Sequence, residues 1–127
     1  MAERRWGRII NIGSQQSISA FGDSGVYGAA KAGICGLTRS QAEAWSQYGV
    51  TSNTIIPGFV LTPMTASVQA VPGRVEALAA RSMIGRNGVP TDFAGAPSSC
   101  PATPRPTSPA RPSAWTAASA STEITDA

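Results

Sequence analysis

The sequence predicts an α/β fold, a piece of an open, doubly wound sheet of parallel strands. Three observations carry that reading. An Ile-rich run, "GRIINIG", lies between Gly7 and Gly13; small and apolar residues recur at helical spacing from Val26 to about Tyr48; and a second run, "VTSNTIIPGFV", halts at Pro57-Gly58. Strand, helix and strand in that order make a βαβ unit with a right-handed crossover.

The first strand is short, apolar and bounded by glycines, as expected of a strand buried on both faces. "SQQSISAFGDSG" is polar and punctuated by glycine, so it predicts a loop. The helix carries an apolar stripe of Tyr27, Ala30, Ile34, Leu37, Ala44 and Tyr48, and Gly49 supplies its C-cap. The second strand is stopped by Pro57-Gly58. A further helix is expected from Pro72 to Met83, and "GVPTDFAGA" begins another.

Composition changes abruptly near Ala96. All 13 glycines lie at or before Gly95, whereas six of the ten prolines fall from Pro97 onward. The chain of 127 residues therefore divides into a globular body, 1–96, and a Pro/Ser/Thr/Ala-rich tail, 97–127. The tail's only large apolar residues are Trp115 and Ile124, too few to offset its ordering entropy, so it is expected to be disordered.

Several function classes lose support. The formal charge of +3 is scattered, with no basic run among aromatics, so no nucleic-acid partner is expected. No apolar run is long enough to cross a bilayer, and "MAERRWGRI" has no apolar core of a secretory signal. The chain has no histidine, and Cys35 and Cys100 lie in no metal-type spacing, so no metal site is expected. Cys35 sits in the helical pattern as a small buried hydrophobe of a reducing compartment, and the expected location is the cytoplasm.

Ligands of such sheets bind beyond the carboxyl ends of the strands. That rule selects Ser14 after the first strand, Pro57-Gly58 after the second, and the start of the helix between them. There "VYGAAKAG" sets Tyr27 and Lys31 on one face, four residues apart, among Gly28, Ala29 and Ala30. A free tyrosine titrates at about 10, some three units above neutrality, and a neighbouring ammonium favours its phenolate. A serine hydroxyl can hydrogen-bond a developing oxyanion. Together they suit proton delivery to a carbonyl during hydride transfer, with the small residues leaving a bare face for a flat cofactor. A lone Tyr-x-x-x-Lys pair is most often a solvated helix face; the three signals at these separations are not.

These residues, continued by "YGAAKAGICGLTRSQAEAW", "YGVTSNTIIPGFVLTPM" and "IGRNGVPTDFAGA", resemble the short-chain dehydrogenase/reductases, and among them bacterial ketoreductases and gluconate dehydrogenases. The resemblance runs from about Trp6 to Ala96, and Ser14 precedes Tyr27 by 13 residues, the family's usual interval. It implies a Rossmann-like sheet and NAD or NADP as cofactor. Tyr27 would be the general acid/base and Ser14 would position the substrate oxygen. Lys31 would tune Tyr27 and hold the nicotinamide ribose. Pro57, Gly58 and Val60 would line the nicotinamide site, and Thr62 would contact its carboxamide or the pyrophosphate. Residues from Thr62 to about Met83 correspond to the family's mobile substrate-covering segment. Its charges form no diagnostic cluster, so Arg74, Arg81 and Arg86 are expected to be solvated. The substrate would be a small alcohol or ketone, and the helix from Tyr27 to Tyr48 resembles one at the family's dimer interface.

The family's Gly-rich pyrophosphate turn, its Asn-Asn-Ala-Gly motif, the residue selecting NAD from NADP and the asparagine of its catalytic tetrad have no counterpart among these residues. A full member is roughly twice this length, so the chain is expected to correspond to the C-terminal portion of the fold. Read out of phase from the third base of the Pro97 codon, the tail permits Val-Phe-Leu-Ser-Ser-Asp-Ala-Ser-Ala-Tyr-Val-Thr-Gly-Gln-Thr-Val-Arg-Val-Asp-Gly-Gly-Phe, a family C-terminus. We read the tail as a frameshift product. Two functional classes follow: an NAD(P)-dependent oxidoreductase using Ser14, Tyr27 and Lys31, or a catalytically silent remnant able only to associate with an intact relative.

Overall fold

A computed structural model of the chain describes residues 1–22 and 25–95. The tail, with its expected disorder and shifted frame, lies outside the described residues. Two strands, β1 (Gly7–Ile12) and β2 (Val50–Ile55), pair in parallel, with Gly7 opposite Val50 and Ile12 opposite Ile55. The helix α1 (Gly25–Trp45) connects them, as the strand–helix–strand reading requires. After β2 come two short helices, α2 (Ala66–Gln69) and α3 (Arg74–Ala80).

β-branched residues dominate both strands, which suits a pleated surface. α1 tightens into a 3-10 turn over Ser46–Tyr48, and Gly49 caps it in the left-handed region at φ 71°. Glycine is needed there twice over, because a Cβ would also collide with the carbonyl oxygen of Arg5. The predicted loop after β1 holds one turn of 3-10 helix, Gln15–Ser17. The helix expected from Pro72 to Met83 is confined to α3: Gly73, in the left-handed region at φ 73°, precedes its first turn, and Arg81 follows its last. The helix expected from "GVPTDFAGA" is, within the described residues, a single 3-10 turn, Pro90–Phe93.

Burial inverts the expectation drawn from hydropathy. β2, with only Val50 and Ile55 as apolar members, is buried at four of its six positions, including Ser52 and Asn53. β1, with three isoleucines, is buried only at Gly7, and Ile12 is 50% exposed. The cause is the placement of the helix. Each strand has one strand neighbour among the described residues, but α1 packs chiefly on β2 and only lightly on β1.

The stripe of α1 is likewise corrected. Gly28, Cys35 and Thr38 are its buried residues, while Tyr27, Leu37, Ala44 and Tyr48 are exposed. The sheet face beneath α1 is polar, so the helix presents polar partners to it. Asn11 Nδ2 donates to Thr38 Oγ1 and to Gln41 Oε1, each at 2.8 Å. Ser52 Oγ donates to the same Gln41 oxygen at 2.8 Å, and Thr38 and Thr54 hydroxyls meet at 2.6 Å. Thr38 also donates to Ile34 O at 2.8 Å. Cys35 is buried beside this seam as a small hydrophobe. No helix among the described residues is long and apolar enough to cross a membrane.

Replacing Thr38 with the isosteric valine leaves Asn11 and Thr54 without that partner in a largely dry seam. The expected loss is about 1–3 kcal/mol, read as a lower urea midpoint with an unchanged slope. A loss below about 0.5 kcal/mol would remove the seam from the list of stabilising features.

Candidate active site

The ladder between the strands runs on past their formal ends. Gly13 N–H donates to Ile55 O and Gln15 N–H to Pro57 O, both at 2.8 Å. Ser14 is therefore held between two inter-strand bonds at the carboxyl end of the sheet. Gly13 permits this close approach, since a Cβ would lie 3.0 Å from the Thr54 methyl and 3.2 Å from Ser17 Oγ. Ser14 caps the following turn: its Oγ accepts from Gln16 N–H at 3.2 Å, and its N–H donates to Ser17 Oγ at 3.0 Å. The hydroxyl accepts in that cap and keeps its own proton for donation.

Tyr27 and Lys31 occupy the first turns of α1, which packs against the Gln15–Ser17 turn. Lys31 Nζ lies 5.8 Å from the centroid of the Tyr27 ring and donates to Ile12 O at 3.0 Å. One ammonium thus joins the helix start to the last residue of β1. Tyr27 is 50% exposed, as expected of a group that must meet a ligand. The small residues around it divide their roles, for Gly28 is buried against the body while Ala29 and Ala30 are exposed. Only the alanines leave an open face.

Of the other residues expected at the site, Pro57, Gly58, Val60 and Thr62 follow β2 in order and are all partly buried. Val60 forms a parallel bridge with Gly88, with Leu61 N–H to Gly88 O and Gly88 N–H to Phe59 O at 2.9 Å each. Thr65 Oγ1 donates to Val60 O at 2.9 Å and accepts from Thr62 N–H at 3.1 Å. Those bonds hold the backbone of Val60 and Thr62 and leave the Thr62 hydroxyl out.

Sequence reasoning missed the clasp that closes the segment between Val60 and Gly88. Asn87 Nδ2 donates to Val75 O at 2.9 Å, tying the base to α3. Arg86 is not simply solvated: its two terminal nitrogens fork onto Asp92, at 2.7 and 3.0 Å. Its signal was the Arg-to-Asp spacing of six residues across the Gly88 turn. Arg81 is exposed, but its guanidinium lies 4.7 Å from the centroid of the Phe21 ring. Arg81, Arg86, Ser82, Gln15 and Phe59 share the wall of a cavity of about 20 Å³.

Comparison with known proteins adds lineage to this geometry. The enoyl-(acyl carrier protein) reductase family model matches residues 1–98. The 3-oxoacyl-(acyl-carrier-protein) reductase FabG of Vibrio cholerae is 41% identical over 98 residues, covering 76% of this chain and 38% of its own. The D-beta-hydroxybutyrate dehydrogenase of Cupriavidus necator is 47% identical over 64 residues, covering 50% of this chain and 25% of its own. Among solved structures, a protein assigned as an NAD(P)-dependent gluconate 5-dehydrogenase from Beutenbergia cavernae, with NADP bound, superimposes with a TM-score of 0.73 at 35% identity. That match covers 76% of this chain and 39% of the other. The chain spans about two fifths of the length of FabG and of the Beutenbergia protein.

The clasp has a pH signature. The Arg86 guanidinium, helped by the Val89 N–H at 2.9 Å, holds the Asp92 carboxyl down at about 2. A depressed carboxyl stabilises the fold above its unfolded value, about 3.9, and that contribution fades as pH falls through the folded value. Protection factors at Gly88 and Val89, taken relative to the intrinsic exchange rate at each pH, should therefore fall between about pH 4 and pH 2. Asp92→Asn should show the low protection already at neutral pH, with no further acid transition.

Proposed function

Because the chain belongs to the short-chain dehydrogenase/reductase family, we propose that it is the C-terminal portion of an NAD(P)-dependent oxidoreductase interconverting a secondary alcohol and a ketone. The observation that carries this reading is the convergence of Ser14, Tyr27 and Lys31 at one end of β1, with Lys31 bonded to Ile12 O and 5.8 Å from the Tyr27 ring. In the reducing direction Tyr27 gives its phenolic proton to the substrate oxygen. Ser14, whose hydroxyl is oriented by the Gln16 N–H, donates a hydrogen bond to that oxygen. Lys31 supplies the positive charge that compensates the phenolate left behind.

NAD or NADP, when bound, supplies or accepts the hydride. The residues present fit the nicotinamide end of such a group. Tyr27 and the exposed Ala29 and Ala30 leave an open face, and the Thr62 hydroxyl is outside the bonds that fix its backbone. Lys31 would hold the ribose, and Pro57, Gly58, Val60 and Thr62 would border the ring and its carboxamide. The NADP of the Beutenbergia relative supports a nicotinamide dinucleotide of either kind. The substrate class is a small alcohol or ketone, in keeping with the reductase and dehydrogenase relatives. Self-association through the outer face of α1 is part of the same reading, since Leu37, Trp45 and Tyr48 are exposed there.

A second reading, a catalytically silent chain that pairs with an intact relative, is favoured by one set of atoms. Arg8 Nη2, Thr51 Oγ1 and Asn53 Nδ2 are buried without hydrogen-bond partners among the described residues. By strand alternation all three belong to the sheet face opposite α1. Native folds satisfy such groups, so this face is suited to cover by a further segment.

One pair of measurements separates the readings. Under the enzyme reading the purified chain binds NADH or NADPH saturably and turns over, and Tyr27→Phe lowers the rate by about 10²–10⁴-fold with cofactor affinity little changed. Absence of saturable cofactor binding, together with co-purification alongside a co-expressed intact relative, would establish the silent pairing instead.

A further inference from the structure

The cavity beside Ser14 has walls from every segment that follows a strand. Gln15 and Phe21 come from the connection after β1, Phe59 from the connection after β2, and Arg81 and Ser82 from the end of α3. Gln15 follows Ser14 in the chain, so the cavity borders the same connection that carries the proposed reacting serine. Three features of the wall point to one kind of guest.

Charge comes first. Two guanidinium groups border the space, and they are not equivalent. Arg86 is matched by the fork onto Asp92. Arg81 has no carboxylate partner among the described residues; it is steadied by the Phe21 ring, a contact through the face of the guanidinium that leaves its N–H edge to donate. Hydrogen bonding comes second, because Ser82 Oγ is buried with no partner among the described residues, a cost that an incoming acceptor removes. Size comes third. A cavity of about 20 Å³ admits roughly one water-sized polar group. That is room for one oxygen of an anionic group whose remainder lies in the open mouth of the space, and the planar fork of Arg81 matches a carboxylate.

We propose that this cavity is a carboxylate subsite in which Arg81 and the Ser82 hydroxyl receive the anionic end of a small hydroxy or oxo acid. The proposal rests on reading Ser14, Tyr27 and Lys31 as the reacting site, and it names the substrate class that site serves. Arg81 is bidentate toward the acid, Ser82 donates to one of its oxygens, and Arg86 stays engaged with Asp92 at the rim. Arg81 also stands where the terminal carbonyls of α3 attract a cation. A role confined to helix end and Phe21 is therefore the competing account, and it makes a different prediction.

The test uses the full chain without cofactor. Amide resonances of residues 13–17 and 78–88 are followed during titration with lactate and, separately, with its neutral isostere lactamide. Lactate should bind at least tenfold more tightly than lactamide. Arg81→Gln should abolish that preference, Arg81→Lys should retain part of it, and Ser82→Ala should weaken lactate several-fold, all with unchanged circular dichroism. Equal affinity for acid and amide, or an undiminished preference in Arg81→Gln, would overturn the subsite and leave Arg81 as a helix-end cation. Turnover of pyruvate and pyruvamide alike would keep the hydride-transfer reading and lose the subsite. Discrimination in binding without any turnover would keep the subsite and lose hydride transfer.

Discussion

The two amide hydrogens of Asn11 fix where α1 lies on the sheet. One goes to Thr38 and the other to Gln41, and the remaining capacity of those two groups is filled in turn. Gln41 Oε1 takes its second bond from Ser52, while Thr38 donates to Ile34 O and meets the Thr54 hydroxyl. These bonds share their donors and acceptors, so the helix cannot slide by a residue without breaking several at once. An apolar seam would hold α1 to the sheet as firmly but would tolerate small displacements. Because Tyr27 and Lys31 lie on the same helix, the register set at Thr38 also sets their position over the end of β1.

The residues proposed for the site could be singled out in the sequence because their chemistry is tied to short spacings. Tyr27 and Lys31 share a face by helical geometry alone, and Ser14 follows from the rule that ligands sit beyond strand ends. Gly49 announced its left-handed cap for a comparably local reason. The face of α1 that meets the sheet was not legible in the same way. Hydropathy favours Leu37 and Tyr48, yet the sheet beneath offers Asn11, Ser52 and Thr54, and partners for those groups lie at Thr38 and Gln41. Which strand is better buried was equally hidden, since that depends on neighbours rather than on the strand's own side chains. The clasp from Arg86 to Asp92 required knowing that Gly88 bridges to Val60 and that the 3-10 turn Pro90–Phe93 follows it.

Beyond β2 the structure depends on closure at one point. The bridge between Val60 and Gly88 returns the covering segment to where it began, so α2 and α3 form an excursion anchored at its base. A segment held this way can shift over the strand ends while Val60 and Thr62 keep their places. Its polar ties at the base, from Asn87 to Val75 and from Thr65 to Val60, are single bonds spread over a partly exposed surface. Such ties are the low-stability end of a fold and are suited to opening without disturbing the seam under α1.

The exposed end of β1 carries a kinetic meaning. A strand with one edge unpaired among the described residues, ending at half-exposed Ile12, can template an extended segment that reaches it. On the pairing reading proposed above, a segment of a relative competes for that edge with another copy of the same strand. The two routes depend on different concentrations: one on the supply of the relative, the other on the square of this chain's own abundance. On that reading dose acts as a selector, with scarce chain partitioning toward the heterologous partner and abundant chain toward its own aggregate.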